Sequence, residues 1–187
     1  TLFALDKQDV AGIIFTICVI ITRITANVAK SKDIICYSLT KSMIKNNTLY
    51  LKKQALGSKP VKLDLSDAPD IAQTIAVTCY GLGFSCDLTG LHTLKIKETD
   101  RLFALQNELK KLGATIEITD KSLHLRKRTN PIHPNVLIET YNDHRMAMAF
   151  APLALLVPMR VQDADVVTKS YPDFWEDLEQ SGFLLGS

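Results

Sequence analysis

Five consecutive residues, Lys97-Glu98-Thr99-Asp100-Arg101, place two cations and two carboxylates in a single turn. Those are the ingredients for moving a proton beside a bound anion. Three further points along the chain carry similar groups: Asp70, Asp143-His144-Arg145 and Lys169. Each stands where the surrounding pattern opens a helix, so cationic side chains add to unpaired backbone N–H groups and a favourable dipole, the combination that holds phosphate and carboxylate. A small ligand carrying two or three negative charges is implied, with Asp70 and Glu98 placed to exchange protons beside it. Such a ligand requires Arg101, Arg145 and Lys169 to converge on one exposed concavity. The purely structural alternative stays open for each residue. Asp70 and Asp143 also suit helix caps, Glu98 pairs with Arg101 at i, i+3, Arg145 with Asp143, and Lys169 with Asp173.

The elements that must position these groups follow from periodicity. Leu102, Leu105, Leu109 and Leu112 form one apolar stripe of a helix that Gly113 stops, and the charged turn is read as the start of that helix. Val61, Leu63 and Leu65 alternate with polar residues as a strand. Asp70 then opens a helix through Ile71, Ile75 and Ala76 to Gly81 and Gly83. Leu94 and Ile96 read as a short strand, Ile116 and Ile118 as a hairpin with Leu123 and Leu125, and Val136 to Ile138 as another strand. Asn142-Asp143 caps a helix that Pro152 should kink, Val161 to Val167 returns as strand, and Pro172 starts a last helix ended by Gly182. Upstream, Leu49 and Leu51 mark a strand after a lysine-rich stretch.

Asp70 and Asp143 are 73 residues apart and Lys97 and Lys169 are 72 apart, so one strand-helix-strand-helix pattern occurs twice. Repeats related by rotation bring equivalent helix starts toward one end of a domain.

Composition narrows the classes. With 187 residues, 47% hydrophobic and 22% charged, the chain makes one ordinary globular domain. A net charge of +2 gives no footprint for nucleic acid, so any anion site is local. Cys18, Cys36, Cys79 and Cys86 lack metal or disulfide spacing and read as buried thiols in a reducing cytoplasm, and the four histidines are scattered without ligand spacing. The apolar run Val10 to Thr22 falls short of the ~20 residues that span a bilayer, so no membrane partner is expected.

The segments Leu94 to Leu102, Thr140 to Met148 and Lys169 to Phe174, in this order and at this spacing, resemble the C-terminal domain of the EPSP synthases, the 3-phosphoshikimate 1-carboxyvinyltransferases of the enolpyruvyl transferase family. The resemblance runs from about Val61 to Phe183. It implies an α+β domain of repeated βαβαββ units, an inside-out α/β barrel that forms half of a two-domain enzyme. Residues 1–60 would be a shortened first repeat and 61–187 two well-matched ones, with the N-terminal domain absent from this chain. The implied reaction transfers the enolpyruvyl group of phosphoenolpyruvate to the 5-hydroxyl of shikimate 3-phosphate, releasing phosphate, in aromatic amino acid biosynthesis. Carried over by motif, Asp70 stands beside the attacking hydroxyl with Lys97 as its neighbour. Glu98 protonates the methylene of phosphoenolpyruvate, and Arg101, Arg145 and Lys169 hold its carboxylate and phosphate. Neither metal nor organic cofactor is needed, and a monomer is expected.

The chain departs from the family in three places. Thr93 stands where many members have Asn, and residues 1–60 lack the patterns of a first unit. Gly57-Ser58-Lys59, the nearest approach to the N-terminal domain's Lys-Ser loop, is followed by Pro60 with no Arg nearby. Half an active site is therefore the leading reading. A non-catalytic anion-binding or interaction domain is the alternative, and the related cell-wall transferase is disfavoured because no cysteine lies in a loop with Arg or Gly neighbours of the required kind.

Overall fold

The computed structural model describes residues 40–45, 48–53, 60–96 and 99–186. The Val10 to Thr22 run, Cys18, Cys36, the Gly57 to Lys59 loop, Lys97 and Glu98 lie outside them. Strands β1 (Thr40–Lys45) and β2 (Thr48–Lys53) pair antiparallel, Thr40 opposite Lys53. Sequence reading anticipated only the second, because the first has no clean alternation.

The next unit begins with β3 (Val61–Asp64), whose backbone passes through a 3-10 turn at Pro69–Ile71 into α1 (Ala72–Leu82) and returns as β4 (Cys86–Thr89), parallel to β3. A second 3-10 turn, His92–Ile96, leads to α2 (Arg101–Lys111) and then to the hairpin β5 (Ile116–Ile118) and β6 (Leu123–Leu125). The hairpin has the anticipated register, Ile116 opposite Leu125 and Ile118 opposite Leu123. Its β6 strand lies against β4, giving the sheet order β3-β4-β6-β5. A further unit follows: β7 (Val136–Ile138), α3 (His144–Phe150), β8 (Met159–Val161) parallel to β7, a 3-10 turn at Ala164–Lys169, and α4 (Phe174–Gln180). Element starts at 61, 72, 86 and 101 recur at 136, 144, 159 and 174, an offset of 72–75 residues.

Helix α1 is buried on nearly every side, which its run of small and apolar residues allows, and it packs against α3 at the centre of the main core. Gly83 ends it in the left-handed region at φ 76°, its N–H donating to the carbonyls of Cys79 and Tyr80. All four leucines of the α2 stripe are fully buried. A smaller cluster of Ala147, Met148, Val167, Phe174, Leu178 and Phe183 joins α3 to α4.

Three local expectations are corrected. Leu94 and Ile96 are not in a strand: Leu94 is buried and its N–H donates to the Leu91 carbonyl three residues back, while Ile96 is 83% exposed, so the two share no face. The strand expected from Val161 to Val167 stops at Val161, where its three-residue partner β7 also ends, and Asp163 turns the chain at φ 48° into the 3-10 segment. Pro152 does not kink a helix; α3 gives way at Ala151 to a 3-10 segment with Pro152 in its first turn, where a missing N–H costs nothing. The stretch Cys86 to Thr89, for which the sequence offered no reading, is the strand β4, four residues being too few to show alternation against the preceding glycines.

Gly90, at φ 76°, follows β4. A Cβ there would lie 2.4 Å from both Ser66 N and Ser66 Oγ and 2.5 Å from Asp64 Oδ1. Those atoms already form a tight turn, with Ser66 N and Oγ both donating to Asp64 Oδ1. Gly90→Ala is therefore expected to cost about 2–4 kcal/mol from left-handed strain plus overpacking against backbone. Urea denaturation measures it, and a loss under about 1 kcal/mol would show that the turn yields easily.

Candidate functional site

Three helix starts meet at one place. Asp70 sits in the 3-10 turn that leads into α1, and Arg101 is the first residue of α2, behind Asp100, whose carboxylate accepts from the Phe103 N–H at 3.0 Å. Asp143 caps α3, its Oδ1 accepting the Arg145 N–H at 2.9 Å. Local sequence fixes the starts of α2 and α3 through the capping acids Asp100 and Asp143, whereas the turn at Asp70 follows Ala68 and has Pro69 as its first residue. Packing then brings residues 31 and 42 positions apart into contact.

Arg101 is the hub. Its Nε donates to Asp143 Oδ2 at 2.5 Å and its Nη1 to Asp70 Oδ1 at 2.8 Å. The other Asp70 oxygen, Oδ2, lies 3.6 Å from Arg145 Nη2, and Arg145 Nη1 donates to the Asp70 carbonyl at 3.4 Å. Gln73, the second residue of α1, donates to Asp143 Oδ2 at 3.4 Å, and His144 Nδ1 lies 4.0 Å from Asp143 Oδ1. Exposure grades outward from Arg101 and Asp143, at 2% and 0%, through Arg145 at 16% to Asp70 at 33%. Burying a lone guanidinium would be prohibitive, so the two carboxylates are what allow Arg101 to sit in the core.

The structure thus brings together Asp70, Arg101 and Arg145 but not in the way the spacing suggested. Arg101 does not line an exposed concavity; it is held inside by Asp143, which does more than cap its helix. Arg145 faces Asp70, not the acid two residues before it. Lys169 is exposed, at the last position of the 3-10 segment and not at a helix start, and forms no ion pair with Asp173. Its segment nevertheless packs against α3, the helix that carries Arg145. Lys97 and Glu98 lie four and three residues before Arg101 in sequence. Among the described residues, Gln73 Oε1, Thr93 Oγ1 and Thr140 Oγ1 are buried without a hydrogen-bond partner, and Thr93 is the position where the resemblance anticipated Asn.

Sequence reasoning missed a second polar network beside the first. Glu108 is 0% exposed although it lies on the leucine face of α2. Its Oε2 accepts the Glu139 N–H at 3.1 Å, and its Oε1 accepts the Tyr141 hydroxyl at 2.9 Å and lies 2.8 Å from Lys111 Nζ. Lys111 also reaches Glu139 Oε1 at 3.1 Å. Burial works against the charge on Lys111, but the bonds to Glu108 and Glu139 outweigh it and hold the amine above the ordinary lysine range. The Tyr141 hydroxyl is likewise pushed up, first by burial and then by the facing carboxylates. A charged residue interrupting an apolar stripe was the available signal. No group of three or more His, Cys, Asp or Glu with metal-binding geometry occurs among the described residues.

Comparison with known proteins points to one family. The family model for EPSP synthase (3-phosphoshikimate 1-carboxyvinyltransferase) matches residues 9–178, beginning well upstream of Val61, where the resemblance becomes legible by eye. A 3-phosphoshikimate 1-carboxyvinyltransferase of Bacteroides fragilis is 44% identical over 140 residues, 71% of this chain and 33% of that protein. One from Nitrosomonas eutropha is 33% identical over 141 residues, covering 75% and 33%. Among solved structures, EPSP synthase from Acinetobacter baumannii superposes with a TM-score of 0.61 at 23% identity, over 78% of this chain and 36% of that one. The enolpyruvyl transferase NikO from Streptomyces tendae gives 0.61 at 18%, over 92% and 42%. The chain spans about a third of the length of the curated relatives it matches.

Proposed function

The chain belongs to the EPSP synthase family, and from that premise we propose that it supplies one half of a site that transfers the enolpyruvyl group of phosphoenolpyruvate to the 5-hydroxyl of shikimate 3-phosphate. The observation that carries this reading is the cluster of Asp70, Arg101, Asp143 and Arg145 assembled from three helix starts, with Lys97 and Glu98 four and three residues before Arg101 in sequence. Asp70 is the most exposed member, as suits a base for the attacking hydroxyl, and Arg101 and Arg145 fix its two oxygens. In the first step the hydroxyl oxygen bonds to C2 of phosphoenolpyruvate, Asp70 takes the hydroxyl proton and Glu98 gives a proton to C3. In the second, C3 returns its proton, phosphate leaves from C2, and the enol ether remains.

Arg145 and Lys169 are the cations assigned to the carboxylate and phosphate of phosphoenolpyruvate. Arg101, whose guanidinium is committed to two carboxylates, serves the same anion through the placement of Asp70 and Arg145. Offsetting charge on the tetrahedral intermediate is electrostatic work that fixed cations can perform without metal or cofactor. The groups that hold the phosphate of shikimate 3-phosphate are assigned to the part of the relatives' length that residues 1–187 do not match.

Little or no turnover is therefore expected from the chain alone, since orientation of the second substrate supplies much of the rate. Co-expression with the complementary two thirds of the Bacteroides relative should restore phosphate release that requires both substrates. Substantial release by the isolated chain would overturn the half-site assignment. Phosphate binding with no restoration would favour a non-catalytic anion-binding domain instead.

A further inference from the structure

The loop between β7 and α3 is backbone-strained where it meets the site. Tyr141 and Asn142, two consecutive residues with side chains, both hold positive φ, 53° and 58°, immediately before Asp143. A left-handed backbone is disfavoured for residues with a Cβ and persists only where its surroundings over-determine it. The surroundings here come from α2. Glu108 takes the Tyr141 hydroxyl and the Glu139 N–H on its two oxygens, and Lys111 bonds Glu108, Glu139 and the Leu137 carbonyl. The strained pair is thereby tied to α2 through Tyr141 and through the residues leading into it.

Stability alone does not account for a carboxylate at this position. Burying it on the leucine face of α2 carries a desolvation cost that its partners must offset, and a leucine would extend the apolar stripe with no such cost. We infer that Glu108 and Tyr141 are positioning residues: their hydrogen bond holds the left-handed Tyr141-Asn142 turn and so sets where Asp143 and Arg145 meet Arg101 and Asp70. One helix is then tied to the site twice. Arg101 at its first turn bonds Asp143 directly, and Glu108 two turns on fixes the loop from which Asp143 emerges. The consequence for catalysis rests on the function proposed above, whereas the consequence for the loop does not.

Tyr141→Phe removes the hydroxyl, with its bonds to Glu108 and the Asn107 side chain, and leaves the ring, so the variant should fold. Its matched control is Tyr80→Phe, which removes another buried tyrosine hydroxyl, bonded to the Leu112 carbonyl at 2.6 Å, away from this loop. Hydrogen exchange on the chain as it stands reads the Asp143 and Arg145 amides, which donate to the Thr140 carbonyl and to Asp143 Oδ1. Tyr141→Phe should speed both about tenfold relative to Leu105 and Leu109 in the core, and Tyr80→Phe should not. Equal behaviour of the two variants at these amides would overturn the inference. In the complemented enzyme, Tyr141→Phe should lower kcat/KM about tenfold, mostly through KM for phosphoenolpyruvate, with Glu108→Gln giving the same pattern. Activity loss without faster exchange would also overturn it. Faster exchange in a complemented enzyme that lacks activity altogether would support the positioning role while refuting the function.

Discussion

Asp143→Ala is expected to destabilise the chain by about 3–5 kcal/mol, the range for removing one partner of a buried ion pair. The magnitude comes from what is left behind. Arg101 is 2% exposed, and without Asp143 its Nε faces a cavity in the core, with Asp70 accepting only at Nη1. The α3 cap to the Arg145 N–H is lost as well, which adds about 1 kcal/mol. Asp143→Asn separates the two contributions: it can keep the cap but removes the charge, and should fall between alanine and the parent. Urea denaturation of all three chains is the measurement. A loss below about 1 kcal/mol for alanine would mean that water reaches Arg101 freely and that the cluster contributes little to the fold.

Asp70→Asn and Glu98→Gln, each in the complemented enzyme, should lower kcat by about 100-fold or more, since each removes a proton-transfer group while keeping its shape. The two defects should differ in kind. Asp70→Asn also weakens the contacts to Arg101 and Arg145, so the loss should fall on formation of the tetrahedral intermediate and be accompanied by a raised KM. Glu98→Gln should leave KM nearly unchanged. Rapid-quench measurement of the intermediate distinguishes them, and an undiminished kcat in either variant would remove that residue from the proton-transfer role.

What was legible in the sequence was local. The hairpin of Ile116 to Leu125 showed in two-residue alternation, the leucine face of α2 in its spacing, and the start of α3 in a capping acid before an apolar run. Each of these signals acts within about ten residues. The 3-10 turns were illegible because three- to six-residue segments have no period to read, and one of them placed Lys169 at the end of a turn instead of a helix start. The composition of the cluster was legible from its motifs, but the depth of Arg101 was not: an arginine in a charged turn looks solvated until Asp143, 42 residues away, is packed against it. Glu108 was overlooked for the converse reason, since its partners at 139 and 141 are invisible from its own helix.

The charge balance of the cluster has a kinetic consequence. Two guanidinium groups and two carboxylates within hydrogen-bonding or near-contact distance sum to zero, so their potential dies away over a few ångströms, faster than the ~8 Å screening length of physiological salt. An approaching anion feels almost nothing of Arg101 or Arg145 until it arrives. Encounter with this half of the site is then governed by plain diffusion and by whatever outlying charge, such as that of the exposed Lys169, extends beyond the pairs. Capture should accordingly depend only weakly on ionic strength, with selectivity exercised at contact and expressed in how long a bound anion stays.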